Sequence, residues 1–192
     1  MNKKMRAVFI VALLAVIALA VVGAISKREE NNKVEATTQE VEQKEEVKVE
    51  EQAKTVEIVL YFAGENAEKL MQEKRMVNYE TYKQNPSKAI IEELIKGPLD
   101  SKLYAIMPNE TKLLSIEVKD RKAIIDLSKE FVDNHVGGST GELMTVYGIV
   151  NSLTELKDID SVEFKIEGEI RDVYKGHLIF NEAFERDEEI IG

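Results

Sequence analysis

The sequence predicts an α+β (α/β) fold, a two-layer sandwich in which two helices cover one face of a mixed, mostly antiparallel sheet. Two observations carry this prediction. Residues 112–128 have the alternation of a one-sided β-hairpin, and residues 86–96 and 140–156 have the apolar stripe of amphipathic helices with capping signals at their ends. A hairpin with one apolar face needs a covering layer, and the two helices can supply it.

The hairpin is expected to turn at Asp120 and Arg121, because apolar residues alternate with mainly polar ones on both sides of this dipeptide. The expected cross-strand pairs are Val118 with Ala123, Ile116 with Ile125, and Leu114 with Leu127. All six side chains then share one face of an antiparallel pair, where cross-strand neighbours stabilise each other.

Three further strands are predicted. Residues 56–62 are rich in β-branched and aromatic side chains and indicate a central strand. Residues 70–82 form a weaker candidate, with Arg75, Val77, Tyr79 and Thr81 on one side, and their charge favours an edge position. Residues 161–167 alternate strictly, with Val162, Phe164 and Ile166 directed inward. The order is therefore β-(β)-α-β-β-α-β.

Both helices carry end signals. Asn85 is a good N-cap, Pro86 suits the first helical position, and Gly97 with Pro98 ends the first helix. Ser139 and Glu142 have the spacing of a capping box at the start of the second. The second helix has a wide apolar face, and the residues expected opposite that face are Asn151, Thr154 and Glu155. After the last strand, residues 170–184 are expected to form an irregular arm that packs back onto the domain.

The chain divides into four predicted regions. Residues 1–26 form a basic tip and a transmembrane anchor or signal peptide, and residues 27–54 a charged, disordered stalk without Gly, Pro or aromatic residues. Residues 55–184 form the folded domain, which is long enough for one core. Residues 185–192 look like a mobile acidic tail.

The N-terminal segment leaves two interpretations open. Residues 7–25 contain no charge and as a helix would be about 28 Å long, close to the thickness of a bilayer core. The small residues around Gly23 would also suit a cleaved secretory signal, although the apolar run is longer than a typical signal core. Lys3, Lys4 and Arg6 favour a cytoplasmic N-terminus. We therefore expect a single-pass membrane protein with its domain outside the cytoplasm, or a secreted protein if the segment is cleaved.

Composition excludes several classes of function. The formal net charge of −10 argues against a nucleic-acid-binding role. The absence of cysteine excludes disulfides, thiolate metal sites, thiol catalysis and bacterial N-terminal lipidation. With no Trp, a large aromatic platform is not expected.

Candidate chemistry is sparse, and we predict no catalytic, cofactor-binding or metal-ligating residue. His135 and His177, both in predicted loops, could contribute to a zinc site with a carboxylate, but no HExxH-type spacing accompanies them, and solvated loop histidines are the simpler interpretation. The segment Gly137-Gly138-Ser139 precedes a helix and could bind an anion, yet it lacks the P-loop spacing. A plain loop followed by a capped helix is a sufficient interpretation of this segment.

One cluster of carboxylates leaves an alternative open. Asp126, Glu130 and Asp133 follow the hairpin, and paired carboxylates could bind or hydrolyse peptidoglycan. The simpler interpretation is that Asp126 caps a strand end and that the other two are solvated. A third alternative, a ligand-sensing domain, would require a sizeable apolar pocket.

Four stretches together resemble the GerMN domain of the sporulation and spore germination family. They are Leu60-Tyr61-Phe62, Leu94-Ile95-Lys96-Gly97-Pro98, Pro108 with residues 111–128, and residues 149–154 followed by Val162, Phe164 and Gly168. The resemblance covers roughly residues 56–184. The chain departs from the family pattern at the hairpin turn, where a glycine is usual, and in carrying neither a lipidation cysteine nor a second copy of the domain.

The resemblance implies a non-catalytic, extracytoplasmic protein-interaction module that acts in the envelope during sporulation or germination. It also implies a fold similar to ring-building motifs of secretion-type assemblies. The expected partners are envelope proteins, with a homo-oligomer or ring as an alternative, and the membrane through residues 7–25. No cofactor, nucleic acid or small-molecule ligand is expected.

Overall fold

The computed structural model describes residues 54–192. They belong to one unit, Glu50–Gly192, whose buried apolar side chains form one continuous cluster. A segment with its own continuous core can fold independently. The tip, the anchor or signal segment and nearly all of the stalk lie outside the described residues. Within residues 54–192, no helix has the length and apolar character needed to cross a bilayer.

The described residues form an α+β fold with two sheets and four α-helices. In chain order the elements are β1 (Thr55–Ala63), β2 (Leu70–Asn78), α1 (Tyr79–Gln84), α2 (Pro86–Ile95), β3 (Leu113–Lys119), β4 (Lys122–Leu127), α3 (Glu130–Asp133), α4 (Ser139–Leu153), β5 (Ser161–Ile166) and β6 (Phe184–Glu185). A short 3₁₀ turn, Glu65–Ala67, follows β1. The long helices α2 and α4 contact each other, and both contact β1.

The strands form two sheets, where one was expected. β1 and β2 are an antiparallel pair, and β3-β4-β5-β6 is a separate sheet in which only β4 and β5 run parallel. The outer edge of β1 is not free to join the second sheet. Ser152 of α4 accepts a hydrogen bond from the Tyr61 N–H at 2.9 Å, and Ala63 pairs with Tyr104 of the loop before β3.

The central hairpin forms at the predicted dipeptide. Asp120 and Arg121 both adopt positive φ, +51° and +61°, which is the geometry of a two-residue hairpin turn. The pairs Val118 with Ala123 and Ile116 with Ile125 are confirmed. The pair of Leu114 with Leu127 is wrong, because a bulge between Leu113 and Ser115 places Leu113 opposite Leu127. Leu114 is consequently 47% exposed.

The second strand is shorter than predicted. It ends at Asn78, whose side-chain oxygen accepts the backbone N–H of Thr81 at 3.0 Å and caps helix α1. Tyr79 and Thr81 are therefore helical and do not continue the strand. Asparagine at an N-cap satisfies one of the unpaired amides of the first helical turn, so one local hydrogen bond decided this boundary.

The signals for helix α2 and strand β5 are confirmed. Asn85 accepts the Lys88 N–H at 2.9 Å, Pro86 is the first helical residue, and Gly97 has a φ of +80°. The apolar stripe of α2 faces the core through Ile90, Ile91 and Leu94. In β5, the inward side chains are those predicted: Val162, Phe164 and Ile166.

Residues 185–192, expected as a mobile acidic tail, hydrogen-bond to the domain. The Leu70 N–H donates to the Ile190 carbonyl at 2.8 Å, and the Gly192 N–H donates to the Leu70 carbonyl at 2.9 Å. Asn151 of α4, expected on the exposed side, is fully buried and exchanges two hydrogen bonds with the backbone of Asp187. The acidic composition of residues 185–192 gave no indication of these hydrogen bonds.

Candidate functional site

An open groove of about 520 Å³ lies beside the first turns of α4. Its walls come from the end of β1, the loop at residues 104–108, the loop at residues 134–136, and Gly141, Met144 and Thr145 of α4. Most of these side chains are apolar. Two large apolar side chains of the groove are exposed to solvent, Tyr104 at 58% and Val136 at 97%. Exposed apolar surface of this kind is typical of interaction sites.

A chain of three hydrogen bonds supports one wall of the groove. The Thr145 hydroxyl donates to the Ile106 carbonyl at 2.6 Å, and Nε2 of His135 lies 2.9 Å from the same hydroxyl oxygen. The Gly137 N–H donates to Nδ1 of His135 at 2.9 Å. These bonds connect α4, the loop before β3 and the loop before α4.

His135 is buried, contrary to the expectation of a solvated loop histidine. Its ring packs edge-on against Tyr174, with the ring centroids 5.1 Å apart. Burial lowers the pKa of the His135 imidazole below its ordinary value of 6.5, and the nearby Lys175 lowers it further, while the Glu142 carboxylate opposes the shift. The neutral ring is thus the stable form at neutral pH.

Glu142 has a different role from the predicted capping box. Gly138 is the N-cap of α4 without a side-chain hydrogen bond, and Ser139 is the first helical residue. The Glu142 carboxylate, 1% exposed, accepts hydrogen bonds from Nδ1 of His177 at 2.9 Å and from the backbone amides of His177 and Leu178 at 3.2 and 3.0 Å. It therefore holds the arm that follows β5 against α4.

The environment of Glu142 favours its charged form. Burial alone would raise the pKa of this carboxyl, but the hydrogen bonds from His177 and from the two amides hold it below its ordinary value of 4.5. The arm is held at two further points. The Tyr174 hydroxyl donates to the Phe131 carbonyl at 2.8 Å, and Nζ of Lys175 donates to the Val132 carbonyl at 2.7 Å.

The structure does not bring the two histidines into one metal site. His135 bonds Thr145 and Gly137, whereas His177, with 61% of its side chain exposed, bonds Glu142. Among residues 54–192, no three His, Asp or Glu side chains are grouped so that they could hold a metal ion.

The three carboxylates after the hairpin have separate surroundings. Asp126 accepts the Gly168 N–H at 2.9 Å at the end of β5, which agrees with the strand-end interpretation. Glu130 begins α3, and a hydrogen bond from the Ser128 hydroxyl lowers the pKa of its carboxyl. Asp133 is exposed. None of the three lines the groove.

Residues 59–172 match the Germane family, described as sporulation and spore germination. This match covers more than half of the chain. The chain belongs to the Germane family. The resemblance to the GerMN domain inferred from four short stretches is thereby confirmed. The residues of the arm that contact Glu142 lie beyond the matched range.

Three solved structures share the fold of this chain. A candidate lipoprotein from Clostridium perfringens is 30% identical, with 70% of this chain and 89% of that chain covered and a TM-score of 0.50. The tandem GerMN domains of the sporulation protein GerM from Bacillus subtilis are 21% identical, with 72% and 48% covered and a TM-score of 0.57. The first GerMN domain of GerM is 20% identical, with 70% and 99% covered and the same TM-score. The two GerM comparisons show the common fold. Among curated proteins, none matches the chain.

Proposed function

We propose that this Germane-family chain is a membrane-anchored, extracytoplasmic and non-catalytic module that binds another envelope protein during sporulation or germination. The observation that carries the proposal is the apolar groove beside α4, with Tyr104 and Val136 exposed at its walls. Burial of apolar surface is the main favourable term in the free energy of most protein–protein association. Membership in a sporulation and germination family supports the setting.

The charge distribution fits a protein partner better than a nucleic acid. The chain has a formal net charge of −10, which disfavours any polyanionic ligand. The two buried polar side chains that line the groove, His135 and Thr145, are already hydrogen-bonded within the domain. The groove therefore offers mainly apolar contact area, which suits apolar side chains of a partner protein.

Site-specific photo-crosslinking tests the proposed surface. A photo-reactive residue placed at Val136 or Tyr104 of the full chain, in the cells that naturally make it, is expected to give a discrete adduct with one envelope protein. Leu114 on β3 is the matched control, because it is 47% exposed and does not line the groove. An adduct of two copies of this chain would identify a homo-oligomer at the same surface. Absence of adducts from both groove positions, or equal adducts from Leu114, would refute the proposed surface.

The anchored location has a direct test, because the chain contains no cysteine. Ser101→Cys, at an exposed position, is expected to react with a membrane-impermeant maleimide in intact protoplasts, whereas Asn2→Cys is expected to react only after lysis. Mass determination of the mature chain then distinguishes an anchor from a cleaved signal. Protection of Ser101→Cys in intact cells would overturn the proposed location.

Cell-wall binding through Asp126, Glu130 and Asp133 predicts a different result. If that alternative were correct, the purified domain would sediment with peptidoglycan or release muropeptides, and a triple Asn/Gln substitution at these positions would abolish the effect. The proposed interaction module is expected to do neither.

A further inference from the structure

The hydrogen bonds around His135 define which ring nitrogen carries the proton. The Thr145 hydroxyl has one proton, which it donates to the Ile106 carbonyl at 2.6 Å. The hydroxyl oxygen can therefore only accept from Nε2 of His135, 2.9 Å away, so that Nε2 carries the hydrogen. Nδ1 must then be the unprotonated acceptor of the Gly137 N–H at 2.9 Å. Both ring nitrogens therefore have a hydrogen-bond partner in the neutral ring, Nε2 as donor and Nδ1 as acceptor.

A second proton on this ring would displace the hydrogen bond that Nδ1 accepts from Gly137, although a backbone hydrogen bond with Gly141 favours the protonated ring. It would have to sit on Nδ1, where it would meet the Gly137 N–H. The charged groups that affect the ring come from two elements, Glu142 of α4 and Lys175 of the arm. The Glu142 carboxylate already accepts three hydrogen bonds from His177 and Leu178, and Lys175 adds a positive charge. The third neighbour, Tyr174, presents an aromatic ring.

The loop that His135 holds contains two consecutive glycines. Asn134, His135 and Val136 line the groove, and they are followed by Gly137 and Gly138 with φ of +80° and +89°. Glycine adopts positive and negative φ with similar ease, so two consecutive glycines allow this loop to move without steric cost. A Cβ atom added at Gly138 would have no atom within 4 Å apart from those of its own residue and its chain neighbours.

We infer that His135 is a proton-sensitive lock on the groove: protonation at Nδ1 removes the acceptor of the Gly137 N–H, releases residues 134–138 and changes the shape of the groove. The lock is a property of the loop and goes beyond the proposed function, since it operates whether or not a protein partner binds. Acidification acts on the groove wall that carries Val136, the most exposed large apolar side chain of the described residues.

The presence of only two histidines in the chain makes the test direct. In the fragment Glu50–Gly192, which contains its own core, ¹⁵N-labelled histidine reports the tautomer of each ring. In the His177→Gln variant, the one remaining histidine ring signal belongs to His135. We expect the neutral Nε2–H tautomer at about pH 7.5, well above the ordinary histidine pKa. An Nδ1–H tautomer would overturn the inference.

The second measurement follows the loop through the titration. Between about pH 7.5 and 5, the Gly137 amide signal is expected to shift together with the His135 ring, and amides 136–138 are expected to exchange at least about tenfold faster than the intrinsic pH dependence predicts. His177→Gln should retain this response. His135→Asn, which keeps an acceptor near the Gly137 amide but cannot titrate, should lose it. Protonation of His135 without a change at Gly137 would refute the lock, and this outcome is readable in the wild-type fragment even if His135→Asn fails to fold.

Discussion

The buried carboxylate of Glu142 accepts a hydrogen bond from Nδ1 of His177, with 2.9 Å between the two atoms, although the residues are 35 positions apart. The same carboxylate accepts the backbone amides of His177 and Leu178. A single side chain in the first turn of α4 thereby fixes the arm that closes over α3 and α4, and the arm in turn supplies Tyr174, which packs against His135.

Removal of the Glu142 charge is expected to weaken the arm. Glu142→Gln should lower the free energy of unfolding by about 2–3 kcal/mol, because a buried, charge-assisted network is replaced by an amide that cannot satisfy all three donors. Urea denaturation of Glu50–Gly192 measures the change. His177→Gln is the control, with an expected loss below about 1 kcal/mol, since its side chain is largely exposed and the backbone amides remain bonded. Equal losses in the two variants would contradict this role of Glu142.

The stability of the domain should depend on pH in two separate ranges. Because folding lowers the pKa of His135 below 6.5, the unfolded chain binds more protons just below that value, and stability decreases as the pH falls through the folded-state pKa. The stabilising contribution of His135 is complete above about pH 6.5. Glu142, with a pKa held below 4.5, contributes fully above that value and loses its contribution below it.

Urea midpoints measured at intervals of pH separate these ranges. His135→Asn should flatten the decrease that begins near pH 6.5, because the other described groups with a lowered pKa are carboxyls. Glu142→Gln should reduce only the decrease below about pH 4.5. A profile unchanged by His135→Asn would show that this ring does not control the upper range.

Gly148 allows α4 to lie close to β1 and to Ile106 of the loop before β3. A Cβ at this position would lie 2.5 Å from Cδ1 of Ile106 and 3.1 Å from the Tyr61 carbonyl oxygen. Gly148→Ala should therefore destabilise the domain by about 1–3 kcal/mol. Ile106→Val removes the Cδ1 atom, so the double variant should lose less stability than the sum of the two single variants. Strict additivity in this double-mutant cycle would contradict the predicted clash.

The C-terminal segment should contribute to stability. The Arg186 guanidinium donates to the Tyr61 hydroxyl at 2.8 Å and to the Asn151 carbonyl at 3.0 Å, and it pairs with Glu155 at 3.0 Å. Arg186→Met is expected to cost about 1–2 kcal/mol, and removal of residues 186–192 about 2–4 kcal/mol.

Arg121 provides the matched control for Arg186, because its ion pair with Asp160 is exposed on both sides. Arg121→Met should change the free energy of unfolding much less than Arg186→Met does, because a solvent-exposed ion pair contributes little to stability. A loss for Arg186→Met no larger than that for Arg121→Met would show that the C-terminal segment is a passive tail.

Features decided by neighbours in sequence could be predicted. The Asn85 cap, the Gly97 termination and the inward face of β5 depend on hydrogen bonds and alternation within a few residues, and each is present in the structure. The end of β2 at Asn78 also depends on a local cap, but the strand-like alternation through Tyr79 and Thr81 gave a competing signal. The alternation predicted too long a strand, because the apolar–polar pattern does not report the hydrogen bond by which Asn78 caps α1.

By itself, the sequence determined the α+β class, the order of the two long helices and the first five strands, the hairpin turn and the family, since each rests on local patterns or short motifs. Only the tertiary structure decided that β1 pairs with β2 in a separate sheet, that Glu142 binds His177, and that His135 is buried at the groove wall. These features depend on partners up to 91 residues apart, as for Tyr61 and Ser152. A polar residue has the same local pattern whether its partner is water or a distant amide, so burial in the folded chain makes the choice.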